Sequence, residues 1–139
     1  MKYSRAHNEM IPVNVNEEYP IRHVVTDVGG KAGGIEITFR TDSDVAEPQS
    51  VEGLISSPVK NATKSDPDTV SANFIKASPG VWTATVSDAT LANQWALHFK
   101  VTCKAVKEGN GTSEITVVPA GAPVAQGVVF EDNHSVMGN

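Results

Sequence analysis

From Trp95 to Ala105 apolar and polar positions alternate without a break. Trp95, Leu97, Phe99, Val101, Cys103 and Ala105 fall on one side, and Ala96, His98, Lys100, Thr102 and Lys104 on the other. A period of two over that length predicts a strand with one buried and one wet face. The stretch Ala92 to Val106 therefore reads as the central strand of an antiparallel sandwich.

Shorter stretches repeat the pattern. Tyr19 to Val28 reads as a strand with its faces left open. Ile35, Ile37 and Phe39 alternate with Glu36, Thr38 and Arg40, and the glycine-rich stretch from Asp27 to Gly34 between them predicts a hairpin with a long loop. Ser50 to Ser56 is a short strand in which Gly53 breaks the alternation, the mark of a bulge or a close backbone approach. Thr69 to Lys76 places Val70, Ala72 and Phe74 on one face. Pro79-Gly80 is a turn, and Val81 to Ser87 follows with Trp82, Ala84 and Val86 inward. Asn110-Gly111, within Lys107 to Thr112, predicts the hairpin turn before a last strand, Ser113 to Val118. Seven strands between residues 19 and 118, with no amphipathic helix of three turns, predict an all-β fold: a single antiparallel β-sandwich. Its expected core is Phe39, Phe74, Trp82, Trp95, Leu97, Phe99, Val101 and Cys103.

The ends lack this pattern. Residues 1–18 hold a weak alternation, Ile11-Pro12-Val13-Asn14-Val15, which Pro12 restricts to a sheet edge or to extended chain. Residues 119–139 begin rich in Ala, Gly and Pro and then carry the apolar patch Val128-Val129-Phe130. The expected organisation is an N-terminal arm (1–18), a sandwich (19–118) and a C-terminal linker and tail (119–139). Ile11, Val13, Val15, Val128, Val129 and Phe130 are apolar residues in segments with no core of their own. They are expected to anchor the arms on a neighbouring subunit by strand addition or groove filling.

Composition narrows the function classes. The 139 residues are 40% hydrophobic and carry 11 basic against 16 acidic side chains, a formal charge of −5. That length suits one domain with a core of its own. Lys and Arg are scattered, so no basic stripe is present to displace counterions from nucleic acid or to hold an anionic membrane. One cysteine permits no intrachain disulfide. The polar first ten residues do not read as a signal peptide, and no apolar run reaches the length of a membrane span.

Candidate chemistry is sparse. No two of His7, His23, His98 and His134 lie within fifteen residues of each other, so local metal-ligand spacing is missing. A nucleophilic cysteine needs a basic partner and a depressed pKa, and nothing local suggests these for Cys103, which reads as a small core residue. The Gly29–Gly34 stretch lacks the lysine-serine or lysine-threonine ending of a phosphate loop and precedes a strand, not a helix. Asp42, Asp44 and Glu47, like Asp66 and Asp68, lack the glycine and terminal glutamate of a calcium loop and read as solvated loop charge. Asn61-Ala62-Thr63 and Asn110-Gly111-Thr112 match the glycosylation triplet, which is frequent by chance. No catalytic, cofactor or metal site is expected, and the chain reads as a non-enzyme.

Two segments carry a resemblance. Ser78-Pro79-Gly80-Val81-Trp82-Thr83-Ala84-Thr85-Val86 followed by Gln94-Trp95-Ala96-Leu97-His98-Phe99-Lys100-Val101 resembles the closing strands of immunoglobulin-like domains. The chain departs from true immunoglobulin domains in that Cys103 has no partner. The same pair resembles strands of small bacterial periplasmic domains of the FixH and YtkA-like kind, which carry Met or His metal motifs that this sequence lacks. The whole plan, an acidic sandwich with one cysteine and extended ends, is similar to bacteriophage virion decoration and tail accessory proteins. That resemblance implies a structural or binding module made in the host cytoplasm and located in the virion. Its partners would be copies of itself or capsid and tail subunits, with no nucleic acid and no membrane. The alternative is a periplasmic ligand- or metal-binding domain without its export signal.

Overall fold

A computed structural model describes residues 2–3, 10–26, 28, 33–56, 69–87 and 96–138. In order, the strands are β1 (Lys2–Tyr3), β2 (Met10–Asn14), β3 (Glu18–Thr26), β4 (Ile35–Thr41), β5 (Ala46–Ser56), β6 (Thr69–Ala72), β7 (Ile75–Ser78), β8 (Val81–Val86), β9 (Ala96–Ala105), β10 (Gly109–Pro119) and β11 (Val128–Met137). One 3-10 turn, Val124–Gln126, precedes β11. Two sheets pack face to face, with orders β1-β3-β9-β5-β6 and β2-β11-β10-β4-β8-β7.

The alternating stretch is the central strand of the five-stranded sheet. β9 pairs antiparallel with β3 on one side and with β5 on the other. Leu97, Phe99, Val101, Cys103 and Ala105 are buried, while His98 and Lys100 are exposed. A strand paired on both edges satisfies its whole backbone, so its side-chain period of two translates directly into inside and outside. Phe99 meets Phe39 of the opposing sheet at 5.9 Å between ring centroids, and Phe74 edge-on at 5.8 Å. These ring contacts join the two sheets through the aromatic core. Of the expected core, Phe39, Leu97, Phe99, Val101 and Cys103 are buried, and Phe74 and Trp82 are half-buried against them. Trp95 lies outside the described residues.

Several connections differ from the sequence reading. β3 and β4 do not form a hairpin: β3 belongs to the five-stranded sheet and β4 to the six-stranded one. The glycine-rich stretch thus belongs to a crossing between layers, and sequence alternation does not say which layer a strand joins. Thr69 to Lys76 is two strands, not one. β6 pairs β5 in one sheet and β7 pairs β8 in the other, with Asn73-Phe74 between them. The irregularity in β5 falls between Pro48 and Ser50, where proline removes a ladder donor. Gly53 serves the close approach: a Cβ there would meet the Phe74 ring at 3.0 Å. β9 and β10 do not form the expected hairpin either, since β9 lies in the five-stranded sheet and β10 in the six-stranded one. The left-handed residue where β10 begins is Gly109 (φ 145°), and Asn110 and Gly111 already pair with β11.

The largest difference is at the ends. Val128–Met137 pairs with β10 along nearly its whole length, and β2 adds to β11 in parallel at the sheet edge. Pro12 sits in that edge strand, where its missing N–H costs no interior bond. Phe130 and Val13 are 2% and 3% exposed, and Ile11, Val15 and Val128 pack half-buried on the same core. Only Val129, 44% exposed, faces out. The segments expected as arms are strands of the sandwich. Their period was hidden because the inward positions of β11 read Val128, Phe130, Asp132, His134 and Val136, two of them polar.

Candidate functional site

The polar residues inside the sandwich come from four strands, one of them β10, whose buried Ser113 donates its hydroxyl to Thr41 Oγ1 at 3.0 Å. On β3, Tyr19, Ile21, His23 and Val25 point inward; on β11, Phe130, Asp132, His134 and Val136; on β9, Cys103 stands directly opposite Tyr19. Each polar residue occupies a position that the period of two assigns to the core, so the backbone commits it to the interior.

His23 Nε2 and Asp132 Oδ2 lie 2.6 Å apart, 109 residues apart in sequence, with 1% and 5% of their side chains exposed. The imidazole donates to the carboxylate and ties the five-stranded sheet to the six-stranded one. The His23 ring also stacks on Phe130, with centroids 4.7 Å apart and an interplanar angle of 8°. A close, stacked, buried pair of this kind fixes the register of the two sheets against each other, because a slip of either strand would leave a polar group buried alone.

His134 is fully buried, and neither ring nitrogen has a hydrogen-bond partner among the described residues. Its ring lies 5.9 Å from that of Tyr19, whose hydroxyl is also buried and without a partner among the described residues. Burial pushes the His134 pKa below the ordinary histidine value, with Asp42 and Asp132 opposing that shift. Burial raises the Tyr19 phenol, with a smaller push in the same direction from Cys103. The Cys103 thiol is pushed up to about 12 by burial, which favours its protonated form in the core.

The remaining candidates stand apart. His98 is exposed on the outer face of β9, five residues from Cys103 and on the opposite side of the strand. Asp42 and Asp44 belong to one turn, closed by Asp44 N–H donating to Asp42 Oδ1 at 3.2 Å. His7, Asp66, Asp68, Asn61 and Gly29 to Ala32 lie outside the described residues. Among the described residues, no group of three or more His, Cys, Asp or Glu could hold a metal ion, and no helix is long and apolar enough to cross a membrane. Sequence reasoning missed the His23–Asp132 pair and the burial of His134. The signal available for both was parity: each occupies the same side of its strand as an adjacent apolar residue, Val25 or Val136.

No protein-family model matches the sequence, and no curated protein matches it. Solved structures are similar at low identity. The C-terminal domain of the Streptococcus pyogenes antigen I/II-family protein AspA is 14% identical at a TM-score of 0.65, covering 90% of this chain and 41% of that one. BcpA, the major pilin subunit of Bacillus cereus, is 18% identical at a TM-score of 0.54, covering 94% of this chain and 37% of that one. The collagen-binding domain from a Staphylococcus aureus adhesin is 7% identical at a TM-score of 0.53, covering 84% and 87%. This chain thus spans less than half of the AspA and BcpA chains that it matches. With the two-layer topology, these likenesses define an immunoglobulin-like β-sandwich domain.

Proposed function

We propose that this chain is a non-enzymatic structural or binding module, an immunoglobulin-like unit that works through its surface within a larger assembly. One observation carries the reading. Tyr19, His23, Cys103, Asp132 and His134 are sealed between the sheets, where they set register and packing, and the exposed His98 stands apart from them on the outer face of β9. What solvent meets is sheet face and sheet edge, the surfaces by which sandwich domains bind other proteins.

The setting we favour is the bacteriophage virion, with the chain as a capsid decoration or tail accessory protein. An acidic sandwich with one buried thiol and no disulfide suits a protein made in a cytosol and displayed on a particle. Mass spectrometry of purified virions from the producing strain tests this. A fixed copy number per particle supports it, and absence from particles that are otherwise complete overturns it.

A second setting is favoured by the likeness to an adhesin domain, a pilin subunit and a collagen-binding domain. In that setting the chain is a module of a bacterial surface protein, and fractionation finds it on the cell envelope and not in particles. Turnover of a substrate by the purified chain would overturn both.

A further inference from the structure

The outer faces of the two sheets carry charge in matching order. On the five-stranded sheet, Arg22 of β3, Lys100 of β9 and Glu52 of β5 stand directly opposite one another in register. They form a row with signs plus, plus, minus. On the six-stranded sheet, Glu131 of β11, Glu114 of β10 and Arg40 of β4 are in register in the same way. That row reads minus, minus, plus. Arg22, Lys100, Glu52, Arg40 and Glu131 are exposed and Glu114 is half-exposed, all on the faces turned away from the core. No ion pair among the described residues holds any of the six.

Each row sets two like charges side by side on neighbouring strands, an arrangement that disfavours the isolated sheet. Both rows cross three adjacent strands, so their charges share the strand spacing of about 4.8 Å. On one side the first row is flanked by Pro20, Thr102 and Ser50, and the second by Val129, Thr116, Thr38 and Thr83.

We propose that copies of this chain stack face to face, the outer face of the five-stranded sheet of one against the outer face of the six-stranded sheet of the next. Arg22 then meets Glu131, Lys100 meets Glu114 and Glu52 meets Arg40. The partner is a second copy because one chain carries both halves of the complement. The two faces differ, so the contact is head-to-tail and leaves one face of each kind free, which builds an open row or a ring. This inference rests on the reading of the chain as an assembly module and names its partner. Exposed pairs contribute at most about 1 kcal/mol each, so the contact is weak and salt-sensitive.

The test is sedimentation of the purified chain over a concentration series to about 1 mM at low and at high salt. Two variants accompany it, Arg22→Glu with Lys100→Glu and Glu114→Lys with Glu131→Lys. The wild-type chain is expected to exceed monomer mass at low salt and to dissociate at high salt. Each variant alone is expected to associate about tenfold more weakly or less. An equimolar mixture of the two is expected to regain association, because each then offers the face that the other lost. That rescue also shows both variants to be folded. A wild-type chain at monomer mass throughout, or association unmoved by either variant, overturns the stacking. If the chain is then still found in particles or on the envelope, the module reading stands and only the self-partner fails.

Discussion

Gly111 and His134 are cross-strand partners, and the His134 imidazole lies over Gly111 in the space that a Cβ at position 111 would occupy. The glycine is needed for this close approach and not for a turn. A fully buried ring is accommodated against backbone because its partner has no side chain.

Gly111→Ala is therefore expected to destabilise the fold by about 1–3 kcal/mol through overpacking. Chemical denaturation measures it. In a double-mutant cycle with His134→Ala, most of that cost disappears, because the ring that clashes is gone.

His134 should make stability depend on pH. Burial lowers its folded pKa, whereas the unfolded chain titrates near the ordinary value of about 6.5. Below that value the unfolded state binds the extra proton. The contribution of neutral His134 is thus fully present above pH ~6.5 and is lost as pH falls toward and through the folded value. Thermal melts between neutral and mildly acidic pH are expected to show this loss. His134→Phe is expected to flatten that part of the profile. It should also stabilise the neutral-pH fold by about 1 kcal/mol, since two unpartnered buried nitrogens are removed.

Breaking the His23–Asp132 pair leaves one polar partner alone between the sheets. Asp132→Ala or His23→Ala is expected to cost about 3–5 kcal/mol, read as a lower denaturant midpoint. Replacing both with leucine is expected to recover much of it, because no buried group is then left unsatisfied.

The C-terminal strand is expected to be indispensable. Removing residues 128–139 strips β10 of a partner, deletes Phe130, Asp132, His134 and Val136 from the interior, and leaves β2 without its ladder. Circular dichroism of the truncated chain should show loss of cooperative melting. The milder Phe130→Ala is expected to cost about 3–5 kcal/mol. Resistance of residues 128–137 to limited proteolysis in a confirmed monomer would agree, and rapid trimming of that segment would contradict it.

Hydrophobic alternation along the chain was enough to establish the class of fold and its centre. The unbroken alternation from Leu97 to Ala105 identified β9, because a strand paired on both edges has no freedom to place its side chains otherwise. It also located β4 and β8, whose inward Phe39, Ala84 and Val86 are apolar. It could not assign strands to layers, so the expected β3–β4 hairpin became a crossing and one strand became β6 and β7. It misread the ends for a related reason. Hydrophobic alternation detects a buried face only when that face is apolar, and β11 buries Asp132 and His134. Those residues are stable inside because of what lies across the sandwich or the ladder: His23 for one, the bare backbone of Gly111 for the other. Both partners are remote in sequence, one by 109 residues. Only the tertiary structure, which pairs β11 with β10 and faces it toward β3, brings them together and turns an expected tail into core.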